Sequence, residues 1–270
     1  MLSELKYKCC VGLDVHKKFI YCYAMDNEGE LLFEKKVNND PYELDKFFTR
    51  ISKDSKIALE SCSCWEYVYD YLIDKGFTNV QLANPSRVGL IISSKKKTDR
   101  HDAKALADLV RTNLLPKSYA PSHIIREQRQ ITRYRASLGR IKGIIKNKIH
   151  AILTRKGIKN PYDNIFTEKG IEFLQSLDLD WTERLQIDDY IGILRHLSHK
   201  SKKSEQMIKD YAEQNPFAKL LISIPGVAPY SSISILGEIG EIKRFSNARK
   251  LTSFAGLNPS VYQLSIGALN

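Results

Sequence analysis

The sequence has no apolar run approaching the roughly 18 residues that a bilayer-spanning helix needs. Its start, MLSELKYKCC, lacks the apolar core of a secretory signal. Both absences predict a cytoplasmic protein with no membrane partner. Cysteine is scarce: Cys9, Cys10, Cys22, Cys62 and Cys64 form an odd set with no pair of CxxC motifs. This argues against a disulfide framework or a zinc ribbon and predicts reduced, mostly buried thiols. Acids are short as well, 31 against 42 Lys and Arg, for a net charge of +11. An excess of that size points to a polyanionic partner, nucleic acid first. What is present, 270 residues with 43% hydrophobic content, suffices for one large or two ordinary folded domains.

The first forty residues alternate as strands do: CCVGLDVHK, FIYCYAMD, a turn at Asn27-Glu28-Gly29, then LLFEKKVNN. Pro41 opens a helix, residues 56–60 form a short apolar strand, and WEYVYDYLIDKG reads as a helix ending at Gly76. Residues 80–83 give another strand before the break at Asn84-Pro85. A meander followed by alternating strands and helices predicts an α/β fold, a mixed sheet covered by helices. A proline-bounded loop from Pro116 to Pro121 closes this part, so residues 1–118 are expected to be one domain.

Beyond it, Ile124, Ile131, Leu138, Ile145 and Ile152 recur every seven residues, the spacing of a coiled-coil seam. A second helix, from about residue 188 to 214, is expected to return against the first, making 119–214 a helical arm that supports a homo-oligomer. Between residues 126 and 159 stand eleven basic residues and one acid, Glu127. Ion pairs one helical turn apart cannot balance such a run. Arg126, Arg129, Arg133, Arg140, Lys142, Lys146 and Lys148 are therefore candidate phosphate contacts, with a merely solvated face as the bland alternative. Lys95, Lys96 and Lys97 are further candidates for steering a nucleic-acid backbone. In residues 215–270, the Pro-Gly turn of IPGVAPYSSISILGEIG, at Gly226, can expose backbone N–H groups to a phosphate, or can simply turn the chain.

Four carboxylates carry the chemistry. Asp14 sits inside the apolar strand VGLDVH, where a solvated charge is costly unless it pairs or binds a cation. Glu60 ends the strand IALE. Asp99 and Asp102 lie three apart at the start of a helix and share one face. Such hard oxygen ligands suit Mg²⁺ or Mn²⁺, and paired ions can clamp the attacking and leaving oxygens of phosphoryl transfer. An acid on the first strand, another on the fourth and a pair on the helix after the fifth form the layout of an RNase H-like nuclease core.

The stretches VGLDVHK, ALES and KTDRHDAKALADL, with SIPGVAPYSSISILGEIGEIKRFSNARKLTSFAGLNPSVYQ, resemble the DEDD transposases of bacterial insertion sequences, the family that includes Piv-like DNA invertases. The resemblance covers nearly the whole chain in order. It implies a RuvC-like, metal-dependent N-terminal domain with its tetrad on Asp14, Glu60, Asp99 and Asp102. It further implies a small all-α, helix-hairpin-helix-like C-terminal domain bearing a serine nucleophile, DNA as substrate, nucleoid association and, in some members, a structured guide RNA. The family pattern after GL-x-P runs close to PSVYQSG and then a basic tail. Here Gln263 is followed by Leu264, so Ser265 is the candidate nucleophile only with an offset of one residue, and the C-terminal domain is expected to be truncated. The reading is a transposase or site-specific recombinase that cuts and rejoins DNA. Its alternatives are a junction-resolvase-like nuclease using metal-activated water and an inactive fragment that binds DNA or RNA.

Overall fold

The computed structural model describes residues 8–91 and 98–257. The chain divides into two compact units, one reaching Ala120 and the other beginning at Pro121.

The first unit is α/β. Its strands are β1 (Cys10–Val15), β2 (Phe19–Met25), β3 (Leu31–Asn38), β4 (Lys56–Glu60) and β5 (Asn79–Ala83), in the sheet order β3-β2-β1-β4-β5. β2 is antiparallel to β1 and β3, whereas β4 is parallel to β1 and β5 parallel to β4. The β2–β3 turn closes on Asp26, whose Oδ1 accepts from the backbone N–H groups of Glu28, Gly29 and Glu30. Gly29 supplies the positive φ of 99° that this turn requires. The helices are α1 (Pro41–Phe48), α2 (Trp65–Asp74), α3 (Pro85–Ile91) and α4 (Asp99–Arg111). α1 starts where expected because the Asp40 carboxylate caps the Glu43 N–H and Pro41 fits the first turn.

Strand alternation splits the core into two layers. Val11, Leu13 and Val15 face one way and join Leu44, Phe47 and Phe48 of α1 and Val68 and Leu72 of α2. Cys10 faces the other way with Tyr23, Ala58 and Ala83, against Ala103, Leu106 and Ala107 of α4. Gly12 lies on this second face, where a Cβ would come within 1.9 Å of the Ala103 carbonyl oxygen. α4 therefore lies on β1 where β1 has no side chain. All five cysteines are free thiols, and Cys9, Cys10 and Cys22 are buried.

The second unit, as described, is helical: α5 (His123–Arg155), α6 (Glu168–Ser176), α7 (Trp181–Gln214), α8 (Pro216–Ile222), α9 (Pro229–Ile239) and α10 (Ala248–Phe254). Ile149, Ile152 and Leu153 of α5 pack with Leu174 of α6 and Ile187, Ile191 and Leu194 of α7. Farther along, Ile208 and Ala212 of α7 meet Ala218 of α8 and Ile233 of α9. The seven-residue stripe is only partly a seam: Leu138 and Ile152 are buried, but Ile124 is 58% exposed. α5 packs against α7 and α9 of the same chain. Part of the stripe is thus occupied within the chain, so the seven-residue spacing by itself does not support a homo-oligomer. α6 was not foreseen, and α7 begins at Trp181, earlier than its apolar spacing indicates. No described helix is long and apolar enough to cross a membrane.

Candidate active site

Asp14 is the next residue after Gly12 on the α4 face of β1, so it reaches the first turn of α4. It is 7% exposed. Burial raises its pKa above the ordinary carboxylate value; His16 opposes the shift, while the charges of Asp102 and Asp99 add to it. The Nε2 atom of His16 lies 3.1 Å from Asp14 Oδ2 and 3.5 Å from Asp99 Oδ1. One ligand atom each from Asp14, His16 and Asp99 falls within 4.8 Å of the others. α4 is held at this start by Thr98, whose hydroxyl caps the His101 N–H, and by Arg100, which grips Glu34 of β3 through two contacts of 2.9 and 2.8 Å.

Glu60 belongs to the same face. β1 and β4 pair through Leu13 and Leu59, so the next step of the parallel register sets Asp14 beside Glu60 at the C-terminal ends of adjacent strands. It lies outside the 4.8 Å group. Lys36 adds a cation 3.9 Å from Asp99 Oδ2 and 3.4 Å from the centroid of the Phe19 ring.

The donor chemistry fits a divalent cation. Asp14 is a buried carboxylate pressed by two neighbouring acids, and a cation is the partner that relieves both its desolvation and their repulsion. His16 was missed in the sequence reading. Its signal was present, since His16, one residue past the end of β1, continues the alternation that puts residues two apart on one face.

The basic candidates divide into two groups. Arg126 is buried. Arg129 donates through Nε to the Gly237 carbonyl at 2.6 Å and through a terminal nitrogen to the Glu238 carbonyl at 3.2 Å. Those carbonyls belong to the last turn of α9, so Arg129 caps that helix. Arg133 holds the Glu238 carboxylate with two contacts of 2.9 Å. These three are engaged within the unit. Arg140 and Lys148 are exposed, and Lys142 and Lys146 are half-buried. Gly226 takes φ +87° in a turn whose Val227 N–H donates to the Ile224 carbonyl, with Pro225 ahead of it. Lys95, Lys96, Lys97 and Ser265 lie outside the described residues.

A mixed sheet with a buried carboxylate at its centre, met by an acidic helix start, accompanies two family matches. Residues 11–157 match a transposase family model of the DEDD, IS110 type, and residues 218–263 match the transposase family described as IS116/IS110/IS902. These define the class: a DNA transposase, an enzyme of a kind that generally uses divalent metal. The first match alone takes in more than half of the chain, which belongs to the DEDD transposase family of insertion sequences.

Relatives agree over almost the full sequence. The transposase for insertion sequence element IS1533 of Leptospira borgpetersenii is 28% identical over 265 residues, 93% of this chain and 75% of that protein. The transposase for element IS1111A of Coxiella burnetii is 22% identical over 264 residues, 92% of this chain and 68% of its own length. That for element IS1328 of Yersinia enterocolitica is 22% identical over 263 residues, covering 93% and 74%.

Proposed function

We propose that this transposase cuts and rejoins DNA strands at a metal site held by Asp14, Glu60, Asp99 and Asp102, on a first unit of RNase H-like architecture. The observation that carries the reading is Asp14, a buried carboxylate whose ligand atom lies within 4.8 Å of those of His16 and Asp99 where α4 meets the sheet. The 3-2-1-4-5 strand order, with only the second strand reversed, supports the architecture. Asp14 and Asp99 would hold Mg²⁺ or Mn²⁺ directly, with Asp102 and Glu60 completing the oxygen set. When bound, the ion supplies Lewis-acid stabilisation of the phosphoryl oxygens and lowers the pKa of an attacking hydroxyl. His16 ties two of the carboxylates together and fixes their orientation. Arg140, Lys142, Lys146 and Lys148 contact the DNA backbone. Ser265 is the proposed nucleophile, from the family resemblance.

The same carboxylate cluster also suits hydrolysis by activated water, with no protein adduct. A suicide DNA substrate incubated with Mn²⁺ separates the two chemistries. The recombinase reading expects a phosphoserine-linked adduct lost in Ser265→Ala. Metal-dependent cleavage without an adduct would make the protein a nuclease instead.

A further inference from the structure

We propose that a cleft between α5 and α7 receives a nucleotide of a single-stranded nucleic-acid segment. The cleft has a volume of about 350 Å³. Lys142 and Lys146 enter it from α5, one turn apart, and Arg195, His199 and Lys202 enter it from α7. Among the described residues, no carboxylate lines it. None of these five residues forms an ion pair with a carboxylate among the described residues, in contrast to Arg133 and Arg135 on the same helix. Cations gathered in a concave site without counter-charge repel one another, and an anion that enters relieves that repulsion.

The floor argues for more than a phosphate. Half-buried Phe166 and Ile171 line the same cleft with buried Leu194, and Lys146 Nζ stands 4.6 Å from the centre of the Phe166 ring. A duplex keeps its bases stacked on one another and is too wide to enter the cleft. An unpaired nucleotide uses both parts: its phosphates meet the rim, and its base covers the apolar floor beside the ring. The volume matches one nucleotide and is far below the girth of a duplex. Arg195, His199 and Lys202 were not among the sequence candidates: their spacing of four and three puts them on one face of a helix, but α7 carries acids as well as bases, and only the packing against α5 brings that face beside Lys142 and Lys146.

The test uses the whole chain without divalent metal, so that it is independent of the acidic site. The probes are fluorescein-labelled 12-nucleotide oligo-U and oligo-dT and a 20-base-pair DNA duplex, followed by anisotropy across a salt series. Arg195 and Lys202 are exposed, so Arg195→Gln with Lys202→Gln leaves the fold intact, as a melting curve checks. The double variant is expected to lose single-strand affinity at least tenfold and to flatten its salt slope by about 1.4, at roughly 0.7 per phosphate contact. Duplex affinity is expected to change less than threefold. Phe166→Leu, which keeps the apolar floor but removes the ring, is expected to weaken single-strand binding about fivefold or more at unchanged salt slope. Unaltered single-strand binding, or an equal loss on the duplex, would overturn the proposal. Loss on oligo-U alone or on oligo-dT alone supports it and identifies which strand the cleft accepts.

Discussion

The two units handle like charge in opposite ways. In the first, acids from separate elements are brought to one place, with His16 and Lys36 as the nearby basic groups. Burial raises the pKa of Asp14 there, and the charges of Asp102 and Asp99 add to the shift. In the second, a long basic helix looks in the sequence like one uniform phosphate-binding face, yet the fold divides it. Its first part is bound to α9 and α7 through Arg129, Arg133 and Arg135, and only its middle part stays available. A count of charges in a sequence therefore overstates a binding surface, and it says nothing of a cluster assembled from distant segments.

The sharpest way to break the comparison is at the acids. Asp102→Asn is expected to reduce metal-dependent DNA processing by roughly 100-fold or more, a loss of several kcal/mol of transition-state stabilisation. Salt-sensitive DNA binding should persist, as a filter-binding series would show. A variant that cuts like the parent would remove this residue from the site. Next in size, Gly12→Val forces side-chain atoms into the Ala103 carbonyl and the Ala107 nitrogen. It should destabilise the first unit by about 3 kcal/mol or more. Hydrogen exchange should then report lost protection before Ala120 while α5 and α7 remain protected; uniform loss would mean that the two units unfold as one.

On the basic side, Arg129→Met should cost the second unit about 1–3 kcal/mol, because two last-turn carbonyls of α9 lose a charged donor. Arg133→Gln should weaken DNA binding less than twofold, whereas Arg140→Gln with Lys148→Gln should weaken it severalfold and flatten the salt slope. Equal effects at the two places would restore the uniform-face reading. The smallest effect concerns Asp14. Its pKa is raised on folding, so its contribution favours the folded state when protonated and is lost as pH rises through the folded value. Asp14→Asn in metal-free protein should therefore melt a few degrees higher at neutral pH, with the advantage shrinking as pH falls into the carboxylate range.

Much of the first unit was legible in the sequence. The period-two alternation around VGLDVH, the turn at Asn27-Glu28-Gly29, and the Pro41 signal at α1 are local, and local geometry depends on neighbouring residues alone. The pairing of Asp99 with Asp102 was legible for the same reason, since a helix places residues three apart on one face. The proposed acidic tetrad was reached by resemblance and spacing, but the closeness of His16 to Asp99 depended on how α4 meets β1. The helix α6 was missed because Glu168–Ser176 is short and its apolar residues matter only once α5 and α7 supply a partner. The stripe on α5 was read correctly as a packing surface, but from the stripe alone its partners within the chain could not be named, because a heptad shows that a helix packs and not against what.

By itself the sequence determined most elements of the first unit, the net positive charge, the family and the four candidate acids, all of which follow from residue identity and short-range order. Tertiary structure decided which charges remain available. Arg133 and Glu238 are 105 positions apart and in contact, and Asp14 and Asp102 influence one another across a sheet and a helix. Electrostatic interaction falls with distance through space rather than along the chain, so only the fold could assign it.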